Sequence, residues 1–131
     1  MPDYAYPLRA THALVERVDE APPGVAVRRW VLRDDNQQHY HGRVALREDP
    51  LFLELFWKPS VRGREQRVGL FRLHLGQLLD AGYVRRENDA PDASPSEVRL
   101  RFYRSDRGVV VIQTRDGEPA LPIGVVDRLL D

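Results

Sequence analysis

Arginines and aromatic residues together occupy the outward positions of three strand-like segments of this sequence, and these residue types can bind nucleic acid. Alternate residues of a strand share one face, so each segment can be divided into an apolar side and an outward side. The outward residues are Arg43 and Arg47 in the first segment, Phe52, Phe56 and Lys58 in the second, and Arg99, Arg101 and Tyr103 in the third. Guanidinium groups bind phosphate through paired N–H donors, and flat rings stack on nucleobases at about 1–3 kcal/mol per base. The pattern predicts a sheet face that binds single-stranded DNA or RNA.

A basic loop follows the second of these segments. Its sequence RGREQR, residues 62–67, has three arginines around a glycine and one opposing glutamate. Such a loop suits contacts with the phosphates of a bound strand. We therefore add Arg62, Arg64 and Arg67 to the predicted nucleic-acid-binding residues.

The composition limits the kinds of partner that this chain attracts. Twenty basic residues balance twenty acidic ones, so only a local arrangement of charge can favour a polyanion. Nineteen of the basic residues are arginines and one is Lys58. The absence of cysteine excludes disulfides and thiolate sites. With no charged-then-apolar leader and no apolar run near 18 residues, the sequence predicts a cytoplasmic protein without a membrane partner.

The sequence contains no recognisable catalytic signature. Phosphate-binding glycine loops, serine elbows and paired acid–base carboxylates are absent. His39 and His41 share a strand face, but no third metal ligand follows at a suitable spacing. We therefore predict a binding protein that is not an enzyme and has no cofactor and no metal.

The elements that must position these residues follow the order β4-α-β3-α. Residues 1–10 carry two prolines and are predicted to form an N-terminal arm. Alternating apolar residues predict strands over 13–18, 25–33, 40–48, 51–58, 83–87, 98–104 and 108–115. Helical spacing predicts one helix within residues 68–82 and a second over 121–131, with Pro122 in its first turn. The predicted fold class is α+β, with antiparallel sheets and helices packed on one face.

Two similar stretches indicate an internal duplication. RVALRE at Arg43–Glu48 is similar to EVRLRF at Glu97–Phe102, and each is followed by a strand-like run and a later LLD. The repetition predicts one compact domain, residues 11–131, made of two related halves of about 11–82 and 83–131. The fold would then consist of tandem β4-α-type units.

Residues 25–131 resemble the PUR-repeat and Whirly families and coactivators of the positive-cofactor-four type. FYRSDRGVVVIQT, at Phe102–Thr114, is similar to the PUR pattern of an aromatic strand, a polar turn and an apolar strand. LFLELFWK, the basic loop and VGLFRLHL are similar to the strand, hairpin and helix start of the coactivator type. The resemblance implies single-stranded nucleic-acid binding and a homodimer.

Two alternative functions fit parts of the same pattern. In the first, Phe52 and Phe56 are buried at a protein–protein interface, and the chain is an interaction or assembly module. In the second, LGQLLDAGYVRRE is a recognition helix, the following two strands form a wing, and the protein binds duplex DNA as a winged helix. The second alternative requires two helices within residues 25–67.

Overall fold

The protein is built from two β-sheets. A computed structural model describes residues 14–33, 39–59, 62–86, 97–105, 107–115 and 117–126. Of these residues, 57% lie in strands and 10% in helices. The elements are β1 (Val15–Val18), β2 (Arg28–Arg33), β3 (His39–Ala45), a 3-10 turn (Leu46–Glu48), β4 (Leu51–Lys58), β5 (Gln66–Leu73), α1 (Leu75–Asp80), β6 (Arg85–Arg86), β7 (Glu97–Arg104), β8 (Val109–Gln113) and β9 (Ala120–Val125).

The chain changes sheet three times, between β2 and β3, between β3 and β4, and between β5 and β6. The first sheet has the order β1-β5-β4-β2, in which β2 is parallel to β4 and the other pairs are antiparallel. The second sheet has the order β3-β7-β8-β9 and is antiparallel, and β6 pairs with the beginning of β7. Strands β2 and β3 approach each other at one edge, and β9 lies against β1 and β5 at the other.

The core lies between the two sheets. Leu51, Leu53, Leu55 and Trp57 alternate along β4 and are buried, as the sequence predicts. The facing side chains on β7 include Leu100 and Phe102, which are also buried. The Trp30 and Phe102 rings meet edge to face, with centroids 5.9 Å apart. Each fully buried large side chain contributes about 1.5–3 kcal/mol, so this apolar layer holds the sheets together.

The predicted α+β fold is wrong. The layer that covers the apolar face of each sheet is the other sheet, and the described residues contain one α-helix of six residues. Tandem β4-α units are therefore not formed, and β3, from the predicted first half, belongs to the second sheet. The two helices that a winged helix requires within residues 25–67 are also not formed in the described part of that range, which contains β2, β3, β4 and the start of β5.

The first predicted helix, within residues 68–82, is a strand in its first part, residues 68–73, and a helix only over Leu75–Asp80. Strand β5 is paired on both sides, with β1 and with β4. Its side chains are buried on both faces, as Leu70 and Phe71 illustrate. Backbone pairing with two neighbours outweighs the helical spacing of a few leucines, and the helix is confined to Leu75–Asp80.

The second predicted helix, over 121–131, is also wrong where the structure describes it. Residues Ala120–Val125 form β9, the edge strand beside β8. Pro122 lies opposite Val111, next to a shift in the β8–β9 register. Edge strands and bulges are the places in a sheet that tolerate a residue without an N–H.

Some of the other sequence predictions agree with the structure, and others concern residues that the structure does not describe. The hairpin of β7 and β8 is confirmed, and its turn is closed by hydrogen bonds between Ser105 and both Gly108 and Val109. The predicted arm, residues 1–10, lies outside the described residues. The extent of the domain, 11–131, stays a prediction. Among the described residues, no helix is long and apolar enough to cross a membrane.

We expect Gly42→Ala to destabilise the fold by about 1–3 kcal/mol, because the added methyl group overpacks the core. A Cβ atom at Gly42 would lie 2.6 Å from Cζ3 and 2.8 Å from Cζ2 of Trp30. Urea unfolding measures the loss. The control is the same change in a Trp30→Leu background, where the ring is gone and the cost should fall sharply. Equal costs in both backgrounds would contradict this packing.

We expect Asp49→Ala to destabilise the protein by about 0.5–2 kcal/mol, the usual cost of losing a helix cap. The Asp49 Oδ1 and Oδ2 atoms accept hydrogen bonds from the backbone N–H groups of Leu75 and Gly76, at 3.0 Å each. Asp49→Asn keeps one acceptor oxygen and should lose less. Thermal unfolding compares the two variants, and an Asn variant as unstable as the Ala variant would speak against the cap.

Candidate nucleic-acid interface

The structure divides the predicted binding residues between two opposite surfaces. Because the sheets pack through their inner faces, their outer faces point in opposite directions. The outer side of the first sheet carries Phe52, Phe56, Lys58 and Arg67, and the outer side of the second carries Arg43, Arg99, Arg101 and Tyr103. Arg47 lies in the 3-10 turn after β3, and Arg62 and Arg64 lie between β4 and β5. The predicted residues therefore do not form one continuous platform.

The outer face of the first sheet is neutralised by ion pairs. Arg72 binds Glu16 through two hydrogen bonds of 2.6 and 3.0 Å. Arg67, one of the predicted phosphate ligands, donates to Glu54 at 2.9 Å. Arg29 forms a further pair with Glu65. We call this surface the ion-pair face: Glu16, Arg29, Glu54, Glu65, Arg67 and Arg72. A phosphate would have to compete with carboxylates already in place.

Phe52 and Phe56, the two phenylalanines beside the ion-pair face, are already covered by other side chains. Phe52 is 5% exposed, and the Arg72 guanidinium lies 6.0 Å from its ring centroid. Phe56 is half-buried beneath Arg29, whose guanidinium carbon is 4.2 Å from the ring centroid. A base could reach Phe56 only by displacing a cation–π contact worth about 0.5–1 kcal/mol at an exposed site.

Glu16 is the centre of the strongest ionic cluster on the ion-pair face. Its carboxylate binds Arg72 and also lies 2.8 Å from His74 Nε2. The hydrogen bond from Arg72, followed by that from His74, lowers the pKa of Glu16 to about 2. These contacts connect β1 to β5 and to the residue before α1.

The outer face of the second sheet carries three arginines in one row. Arg99 on β7 lies directly opposite Arg43 on β3, and on its other side directly opposite Arg85 on β6. All three are exposed. We call them the arginine row. Neighbouring strands are about 4.8 Å apart, and like charges directly opposite each other destabilise a sheet, so a negatively charged group between these arginines would relieve their repulsion.

Further polar residues continue this face along the strands. Arg101, 8% exposed, lies opposite His41, and Tyr103 is half-buried two residues further along β7. Arg43, Arg99, Arg101 and Tyr103 each already take part in a polar, ionic or ring contact. Arg85 makes no ion pair within the described residues. Arg85 is thus the member of the row whose donors an added anion can use directly.

The arginines of the predicted basic loop are separate from the row. Arg62 and Arg64 are exposed, lie in the connection between two strands of the first sheet, and make no ion pair with any residue that the structure describes. Lys58 is half-buried at the end of β4. These cations are available, but no contact of theirs joins them to the second sheet.

Sequence reasoning missed Arg85, because a two-residue strand has no periodicity to detect. The extended segment YVRRE was recognised, but its pairing with β7 depends on the tertiary fold. Within the described residues, no group of three or more His, Asp or Glu side chains could hold a metal ion. Comparison with known proteins finds no matching family model, no similar curated protein and no similar solved structure. The PUR- and Whirly-like resemblance stays a prediction.

We expect Glu16 to make stability depend on acid pH. Its folded-state pKa is about 2, below the ordinary value of 4.5, so the carboxylate stabilises the fold above pH 4.5 and the stabilisation disappears as the pH falls towards 2. In Glu16→Gln this part of the pH dependence should be missing. Urea unfolding at several pH values between 2 and 6 measures it, and identical slopes in both proteins would refute the assignment.

Proposed function

We propose that this protein binds single-stranded DNA or RNA on the outer face of its second sheet and catalyses no reaction on it. The phosphates lie along the arginine row. Arg47, exposed in the 3-10 turn after β3, extends the positive surface, and Tyr103 offers a ring edge or face to a base. Arg101 is buried and adds no exposed charge to this surface. Phe52 and Phe56 are not part of the proposed surface.

The arginine row is the observation that carries this proposal. The chain as a whole is neutral, yet its two outer faces differ in the charge of the cross-strand neighbours of their arginines. On the ion-pair face, Arg67 and Arg72 each bind a glutamate. In the arginine row, the cross-strand neighbour of Arg99 is another arginine on either side. Such local segregation of charge attracts a polyanion without a net positive charge.

A single strand fits this face better than a duplex. Reading duplex DNA commonly requires a helix or a β-ribbon that enters the major groove. The helix α1 has six residues, and its Leu75 and Leu78 are buried in the core. An outward sheet face instead lets the bases of a single strand spread over side chains while the backbone follows the cations.

Three further predictions from the sequence accompany this proposal. They are a homodimer, a cytoplasmic location and the absence of enzymatic activity. The homodimer follows from the resemblance to single-strand binders, and sedimentation equilibrium tests it directly. None of them is needed for the arginine row to bind phosphate.

We expect Arg43→Gln with Arg99→Gln to weaken binding of a fluorescent single-stranded oligonucleotide by tenfold or more. Two lost phosphate contacts should also make the log–log salt dependence shallower by about 1.4, since each contact on a single strand contributes about 0.7. Fluorescence anisotropy at several salt concentrations measures both quantities.

The matched control is Arg29→Gln with Arg67→Gln, which removes the same charge from the ion-pair face. These exposed ion pairs contribute little to stability, so the control should fold and bind as the unchanged protein does. Equal losses of oligonucleotide affinity in the two double variants would show that binding depends only on the net charge of the protein and not on the arginine row. No binding by the unchanged protein at low salt would refute the function.

A further inference from the structure

An open cleft of about 370 Å³ lies beside the arginine row. It is formed where β6 and the end of β8 separate along the same edge of β7. The residues that line it include Leu79, Val84, Arg85, Arg86, Thr114 and Glu118. The Thr114 hydroxyl donates a hydrogen bond of 2.7 Å to the carbonyl of Gly82, which ties the two walls together.

We propose that this cleft is a nucleotide-binding subsite, which receives one base of the bound strand while Arg85 and Arg86 hold its phosphate. The inference rests on the proposed function, because Arg85 belongs both to the arginine row and to the cleft. A strand that crosses the row therefore reaches the mouth of the cleft without leaving its phosphate ligands.

The arginine wall suits a phosphate. Arg85 and Arg86 are both exposed and make no ion pair within the described part of the chain. Because they are consecutive in a strand, Arg85 points to the side of the row and Arg86 to the other side of β6. Two guanidinium groups that flank one opening offer paired donors to a phosphate from two directions.

The opposite wall suits a base. Leu79, which is half-buried, provides apolar surface against which a flat ring packs, and Val84 lines the cleft from the core. Glu118, held by Arg115 at 3.1 Å, presents a carboxylate on this side. A carboxylate repels phosphate and accepts a hydrogen bond from an exocyclic amino group. The bound nucleotide is thereby oriented with its phosphate towards Arg85 and Arg86, and cytosine is favoured over uracil.

The volume of the cleft is of the order of one nucleotide. Sites for small ligands are commonly about 300–1,000 Å³, and this cleft lies near the lower limit. One base with its sugar fits a space of this size. The cleft thus reads a single position of the strand, whereas the arginine row binds any sequence.

The test titrates CMP, UMP and inorganic phosphate separately into the methyl-labelled protein and follows the NMR signals of Leu79, Val84 and Thr114. CMP should shift all three residues saturably and bind at least threefold more tightly than UMP. Phosphate alone should leave the Leu79 and Val84 signals unchanged. Absence of CMP shifts at millimolar concentration, or equal affinity for CMP and UMP, would overturn the inference.

Variants separate this inference from the proposed function. Arg86→Gln lies outside the arginine row and should weaken CMP binding at least threefold, whereas Arg67→Gln, an exposed arginine of the ion-pair face outside the cleft lining, should not. Oligonucleotide binding by the unchanged protein without a CMP response overturns the cleft alone. A CMP response without oligonucleotide binding refutes the proposed function and supports the cleft as a mononucleotide site.

Discussion

Burial of one apolar face of each sheet against the other is the constraint on which the rest of this structure depends. Trp30 shows how closely the sheets meet at the edge formed by β2 and β3. Its ring packs on Tyr40 and Phe102 and occupies the space above Gly42. Because strand residues alternate, fixing the inner set also fixes the outer set. A register shift of one residue would turn the arginine row inward.

The same alternation creates two outer faces of different electrostatic character. Along the first sheet, cross-strand neighbours such as Glu16 and Arg72 have opposite charges and bind each other. Along the second sheet, the neighbours of Arg99 are arginines. Cross-strand neighbours of opposite charge therefore meet on the first sheet, and cross-strand neighbours of like charge meet at Arg99 on the second. The difference is set by strand order and register, which no composition value reveals.

The sequence predicts an element correctly where its apolar periodicity fits only one type of secondary structure. The prediction fails where pairing with distant strands decides the secondary structure. Alternation in Leu51–Lys58 predicts β4 and its core side chains correctly, and the exposure of Arg99 follows from the same rule, whereas Arg101 on the same face is buried. The helical spacing of leucines around Phe71 predicts a helix there, and this prediction is wrong because β5 is paired on both sides. Burial of Phe52 and the place of Arg85 beside Arg99 depend on long-range contacts that local patterns do not encode.

The most direct measurement is an amide chemical-shift map of the isotope-labelled protein with an oligothymidylate strand at low salt. The account predicts shifts that concentrate on Arg43, Arg85, Arg99 and Arg101, with the ion-pair face unchanged. Shifts that concentrate instead around Phe56 and Arg67, or that are absent from both sheets, would contradict it.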